Sequence, residues 1–352
     1  MPTVIRDGYT KYWSGRLVGI ERMIEQKENE QFLVAGIGSA LVDILVREND
    51  SFLEKAGALK GGMVYVEPDH IEAMLSTASL PHRILPGGSA CNTIIGVGML
   101  GGNARFVGKS GSGRMAELYK KNLEDSHVEP ILFQSPSPTG RVLSIITSDA
   151  QRSMLTYLGA SAEILPYDIT RDCFKGASIV HVEGYLLFDQ DLIMAAFHAA
   201  KEAGAMISLD LASFNVVEAS GDFLKDAVKN FVDILIANED EASAYTGYSD
   251  ESRAIAIMAD DAEFAILKAG VRGSHIAHEG TIINIDPVIK REAVDTTGAG
   301  DLWASGFLYG LVNGYSLEKC GQLGSMCGYE VCQVVGAAID EDGWKRIRNL
   351  ID

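Results

Sequence analysis

The stretch Asp233-Ile234-Leu235-Ile236-Ala237-Asn238-Glu239-Asp240-Glu241 decides the fold. Its apolar run has no polar alternation and reads as a strand covered on both faces. The polar residues after it open a helix, with Asn238 placed as the N-cap. The pattern recurs at Ser178 to Val182, Ala205 to Leu209 and Phe264 to Leu267, separated by helical stretches such as Leu192 to Ala203 and Phe223 to Phe231. Such alternation implies a parallel sheet with helices on both faces. Ligands then bind beyond the carboxyl ends of the strands, which makes the polar residues ending these runs candidate site residues.

Working outward, the core begins at Phe32 to Ile37, and Gly36 and Gly38 mark a tight turn at its end. Asp43 follows, a lone carboxylate inside the apolar stretch Ala40 to Val46. Gly61 to Val66 is β-like, and Pro68 sits in the first turn of a short helix. Gly87, Gly88 and Ser89 lead into a small-residue helix that carries Asn92 one turn in. Ala104 to Lys109 reads as a strand and Gly113 to Asp125 as a helix. Arg141 to Thr147 and Ser153 to Leu158 alternate apolar with polar around a turn, as a hairpin with one face covered and one open. With part of residues 44–66 this hairpin forms a small β layer, drawn from about 44–66 and 135–160. It reads equally as a lid over a cleft and as an edge extension or dimer contact.

No repeat or low-complexity linker divides the chain, so residues 32–352 read as one domain with a lid. Residues 1–31 read as an N-terminal extension, either an amphipathic helix through Trp13, Leu17 and Ile20 or a frayed end. The 352 residues carry a formal charge of -18, which argues against nucleic acid or an anionic membrane as the main partner. No apolar run reaches the length of a membrane span and no signal-peptide pattern opens the chain, so a cytoplasmic location is expected. The five cysteines form no CxxC pair and read as reduced, mostly buried thiols. The seven histidines are scattered and define no metal site.

Downstream, Asp295-Thr296-Thr297-Gly298-Ala299-Gly300-Asp301 lies between a β-prone segment, Thr281 to Ile289, and an apolar run at helical spacing. It is a loop feeding a helix N-terminus, where unpaired N–H donors favour negative charge. Asp301 is itself an anion. A carboxylate beside an anion hole is what phosphoryl transfer to a hydroxyl requires, a base for the alcohol proton and donors for the growing charge. By spacing alone an ordinary capped turn fits as well. Asn238 with Glu241 one turn later suits either capping or a hydrated Mg²⁺. Lys268, Gly270 and Gly273 form a turn with one positive charge, and Arg152 in the hairpin would reach a phosphate if the hairpin closes.

Asp295 to Asp301 resembles the signature of the ribokinase (PfkB) family of sugar and nucleoside kinases. Gly87-Gly88 with Asn92, Asn238 with Glu241, and the Lys268 to Gly273 turn match in the family's order. The resemblance covers roughly residues 32–339, and Gly36 to Asp43, Leu158 to Ala162 and Asn238 to Ala242 look most like the adenosine-kinase branch. It implies a three-layer α/β/α fold with a mostly parallel, doubly wound sheet and a small β lid. It also implies an ATP- and Mg²⁺-dependent kinase acting on a hydroxymethyl group.

Under that resemblance Asp301 is the base, and Gly298, Ala299 and Gly300 form the anion hole. Ser39, Asp43, Gly87, Gly88 and Asn92 bind the acceptor. Asn238 and Glu241 organise Mg²⁺ through water, Lys268, Gly270 and Gly273 border the nucleotide, and Arg152 approaches the transferring phosphate. Asp295 and Thr297 would be the nearest ligands of a K⁺ ion. Tyr185 is a candidate to stack on a purine. Ser39 stands where adenosine kinases typically carry Asn, so a sugar such as fructose or ribose is the alternative acceptor to adenosine. A non-catalytic binding protein on the same fold is a third reading. Monomers and lid-clasped homodimers are both compatible with the family.

Overall fold

The computed structural model describes residues 32–351 except 59, 61, 80, 81, 150 and 289; the reading of residues 1–31 lies outside this range. The chain runs β1 (Leu33–Ile37), β2 (Leu41–Arg47), α1 (Asp50–Ala56), β3 (Met63–Tyr65), α2 (Pro68–Leu75), β4 (Arg83–Gly87), α3 (Ser89–Met99), β5 (Asn103–Ser110), α4 (Arg114–Asp125), β6 (Val128–Gln134), β7 (Gly140–Ile146) and β8 (Arg152–Tyr157). It continues through β9 (Ala177–Glu183), α5 (Gln190–Ala203), β10 (Met206–Asp210), α6 (Phe214–Phe231), β11 (Ile234–Asn238), α7 (Glu239–Thr246), α8 (Glu251–Asp261), β12 (Phe264–Lys268), β13 (Ser274–His278) and β14 (Thr281–Ile285). Three helices close it, α9 (Ala299–Val312), α10 (Leu317–Val331) and α11 (Glu341–Ile351).

Nine strands form the main sheet in the order β14-β13-β12-β11-β10-β9-β1-β5-β6. From β6 to β12 they are parallel, and β13 and β14 add an antiparallel edge. Alternate strand residues explain the layers. Val180 and Val182 face a core shared with Leu192 and Phe197 of α5 and Leu224 of α6, whereas Ile179 faces Ile94 of α3 and Phe307 of α9. The result is a ribokinase-like α/β/α sandwich. Helix α9 is buried nearly all round, so the loop before it is anchored on a rigid element. Truncating fully buried Phe307 to Ala would cost about 3–5 kcal/mol.

The second sheet has the order β3-β8-β7-β2-β4. Its hairpin differs from the expectation of one open face, because β7 is buried along its whole length. Strand β7 is central. Leu143 and Ile145 pack with Phe52 of α1 and Ile71 of α2, while Val142 overlies the cleft. Two strands were not expected, β4 here and β6 in the main sheet. Each carries a proline, Pro86 and Pro130, that breaks the strand pattern, and each lies at a sheet edge, where a missing N–H is tolerated.

Candidate active site

Strand β1 has β5 on one side and β9 on the other, so the order of connection reverses there, and open α/β sheets bind ligands at such a point. Glu183 ends β9 at this crevice. Its Oε1 accepts from Ser39 N at 2.8 Å and its Oε2 from Ala90 N at 3.1 Å, joining the β1–β2 loop to the start of α3. Burial pushes its carboxyl up to about 7. Gly88 caps α3 with φ 97°, and a Cβ there would fall 2.2 Å from Ser39 O. Only glycine lets the two loops meet this closely. Asp43 projects from β2, buried at 7% exposure, and burial raises its carboxyl to about 6 despite Arg152. Gly87, expected to help bind the acceptor, pairs with Leu41 in the second sheet, next to the cavity-lining Gly88. A Cβ at Gly87 would sit 2.7 Å from Asp43 Cγ, so its place is clearance for that carboxylate.

Asp301 lies in the first turn of α9. Its Oδ1 accepts from Ser89 Oγ at 2.8 Å and its Oδ2 from Asn92 Nδ2 at 2.9 Å. Burial raises its carboxyl to about 6, these two donors opposing the rise. Asn92, expected to bind acceptor hydroxyls, is here turned to Asp301. Ala299 N donates to Thr296 O at 3.1 Å and is spent on the turn. Helix geometry also leaves the N–H groups of Gly298, Gly300 and Asp301 without a helical partner. Gly298, at φ 75°, sets the turn.

The carboxylate of Asp295 is engaged both within the loop and by the segment after α10. Oδ1 accepts from Thr297 N at 2.9 Å and Thr297 Oγ1 at 2.7 Å, and Oδ2 from Gly336 N at 2.9 Å. Arg152 comes down from the lid sheet, donating to Ser144 Oγ at 3.1 Å and to Thr297 Oγ1, with Nη2 3.8 Å from Asp43 Oδ2. Arg152 therefore bridges Asp43 and the loop before α9.

On the nucleotide side Asn238 and Glu241 form a capping box. Glu241 N donates to Asn238 Oδ1 at 2.9 Å, and Asn238 N and Nδ2 each donate to the Glu241 carboxylate at 2.8 Å. Burial, reinforced by Asp210, raises Glu241 to about 7. Lys268 Nζ lies 2.7 Å from Asp210 Oδ2. Gly270 opens a single 3₁₀ turn and Gly273 closes it. Ser39, Asp43, Asn92, Asn238, Lys268 and Asp301 all line one cavity of about 1460 Å³. Three residues of this site had no assigned role: Ser89, Glu183 and Asp210. The last two ended apolar runs as lone carboxylates, which was the available signal.

A buried carboxylate against a helix N-terminus, with an acceptor crevice on one side and a lysine-bearing half on the other, defines a phosphotransferase that acts on an alcohol group. Residues 71–343 match the pfkB family carbohydrate kinase profile, and the chain belongs to that family. The crystal structure of adenosine kinase from Sinorhizobium meliloti is 32% identical with TM-score 0.82, covering 91% of this chain and 99% of that one. A probable sugar kinase from Rhizobium etli CFN 42 is 31% identical with TM-score 0.83 over the same shares. The 5-dehydro-2-deoxygluconokinase of Bacillus subtilis is 28% identical over 253 residues, 68% of this chain and 78% of the relative. The protein is thus a sugar or nucleoside kinase of the pfkB family. Among the described residues no helix is long and apolar enough to cross a membrane.

Proposed function

We propose that the protein transfers the γ-phosphoryl group of ATP to the hydroxymethyl group of a neutral, ribose-like acceptor bearing a flat apolar base, a nucleoside of the adenosine kind. The observation that carries this reading is the chemistry of the acceptor wall. By strand register Met63 and Tyr65 of β3 share a face with Met154 and Thr156 of β8, and all four line the cleft. Tyr185 and Phe188 line it too. A bare sugar has no use for so much apolar and aromatic surface, whereas a base stacks on it. The basic side chains among the described lining residues are Arg152, Lys268, Lys290 and Arg291, and of these Arg152 alone lies on the lid sheet. An acceptor with its own phosphate or carboxylate would require a further cation there.

In this reading the acceptor hydroxyls take Asp43, the Gly88 backbone and Asn92, which leaves Asp301. The Asp301 carboxylate accepts the hydroxymethyl proton as the oxygen attacks phosphorus, and the N–H groups of Gly300 and Asp301 stabilise the charge on the transferring group. Arg152 neutralises that group from the lid, and closure excludes water and so suppresses ATP hydrolysis. Glu241 offers one carboxylate braced by Asn238, a donor set suited to a hydrated Mg²⁺ held through water. When bound, Mg²⁺ would neutralise the donor phosphates. A K⁺ ion beside Asp295 and Thr297 belongs to the same proposal, adding positive charge next to the anion hole.

The second reading, a neutral sugar such as fructose or ribose, is favoured by Ser39, whose short side chain offers a ribose no amide. A panel of nucleosides and sugars incubated with Mg²⁺ and ATP separates the two. Adenosine or another nucleoside is expected to be phosphorylated. Phosphorylation of sugars alone would establish the second reading.

A further inference from the structure

Strands β10 and β12 are separated by β11, yet Lys268 at the end of β12 reaches over it to meet Asp210 at the end of β10, at 2.7 Å. Both side chains are largely buried, at 13% and 7% exposure, and both line the cleft. The second oxygen of Asp210 accepts from Ala212 N at 3.0 Å. Ala212 is held at φ 63°, a conformation uncommon outside glycine. The carboxylate is therefore fixed from two directions. The ammonium it holds stands against the anion-hole turn, since a Cβ added at Gly300 would fall 2.9 Å from Lys268 Nζ.

Removing two charges from water costs more than their attraction returns unless geometry and hydrogen bonding are excellent, so the pair is weak evidence of a role in stability. The local charge also needs this lysine. Asp210, Glu241 and Asp301 all interact electrostatically with Lys268, so without it three carboxylates would surround the place where a polyanionic phosphate chain must lie.

Resting on the kinase reading above, we propose that Lys268 is a catalytic residue whose ammonium contacts the transferring phosphoryl group beside the Gly298–Gly300 turn. Asp210 is the positioning residue that aims it. In the step the acceptor oxygen forms a bond to the γ-phosphorus and the bond from that phosphorus to the bridging oxygen breaks. The electron pair leaves with ADP and the hydroxyl proton passes to Asp301. Lys268 stays protonated throughout and donates hydrogen bonds to the phosphoryl oxygens. The absence of a side chain at Gly300 is then the clearance that brings ammonium and backbone donors to one group.

The test uses the full chain with radiolabelled ATP, Mg²⁺ and the acceptor panel. K268M is expected to lower kcat about 100-fold or more, with the dissociation constant for a non-hydrolysable ATP analogue changed less than about tenfold. K268C, inactive as made but with a melting temperature near that of the wild type, is expected to regain at least tenfold on alkylation with 2-bromoethylamine, which rebuilds an ammonium at nearly the same length; for a structural lysine the loss and the rescue of turnover would follow the melting temperature. D210N is expected to lower kcat about tenfold. The D210N/K268M double variant is expected to be no slower than K268M, because Asp210 acts through the lysine. If K268M fails to fold because it leaves Asp210 as a lone buried charge, the double variant, which leaves none, carries the same measurement. Wild-type transfer with K268M or the double variant within threefold of it overturns the proposal alone, as do multiplicative losses in the double variant. No transfer by the wild-type protein to any acceptor overturns the kinase reading, and this proposal with it.

Discussion

The hydroxyl of Ser89 donates to Oδ1 of Asp301 at 2.8 Å and so ties the first turn of α3 to the first turn of α9. This bond favours the ionised form of a carboxyl that burial, against the Asn92 and Ser89 bonds, raises to about 6. Asp301 accepts a proton only when ionised, so kcat/KM should fall as pH drops through about 6. S89A removes a donor to the charged form and should move this acid limb upward by about one to two units. That size follows from about 1.5–3 kcal/mol for a hydrogen bond to a charged group and 1.36 kcal/mol per unit. A pH–rate series on the two proteins checks it; coincident limbs would contradict the role given to Ser89.

Stability should also depend on pH, with a definite sign. Asp43, Glu183, Glu241 and Asp301 are raised by burial to about 6, 7, 7 and 6, so over this window the folded state binds more protons than the unfolded one. Their contribution is complete below the ordinary carboxyl range and is lost as pH rises through these values. His181 acts oppositely, since burial lowers it to about 4, but it is one group against four. The carboxyls of Asp210 and Asp295 are lowered, so their contribution changes only in more acidic solution. The melting temperature of the free protein is therefore expected to fall between about pH 5 and 7.5, read by calorimetry. E183Q should flatten the slope.

Gly88 and Gly101 separate backbone strain from close approach. Both have positive φ, but a Cβ at Gly101 would meet nothing within 4 Å. G101A should cost about 1–3 kcal/mol of stability, the strain alone. G88A should add about 1–3 kcal/mol for the clash with Ser39 O and should also weaken acceptor binding. Urea unfolding of both variants measures the difference, and equal losses would remove the claim that α3 must meet the Ser39 loop.

The buried parallel strands were legible because their sequences are continuously apolar, as in Ile234 to Ala237. Their order in the sheet was not, since nothing local records which strands neighbour β1. The strands β4 and β6 were hidden by Pro86 and Pro130, and the covered hairpin was misread because its polar residues are taken up inside the protein: Arg152 lines the cleft and buried Ser144 accepts from it. At the site, Asp301 and its glycines stood out by chemistry. Glu183 and Asp210 did not, because each takes its meaning from partners far away in the chain, Ser39 and Ala90 for one and Lys268 for the other. The bond from Ala299 N to Thr296 O was likewise not legible, because it depends on the shape of the turn rather than on residue types.

The central claim is that Asp301 is the base. Asp301→Asn keeps the shape of the side chain and can still meet Ser89 and Asn92, but it cannot take a proton at this pH. The most direct measurement pairs calorimetric binding of acceptor and ATP with single-turnover transfer by this variant. Binding within about threefold of wild type, with transfer slower by about 10²–10⁴-fold, is the predicted result. Near-normal transfer by the variant would contradict the account.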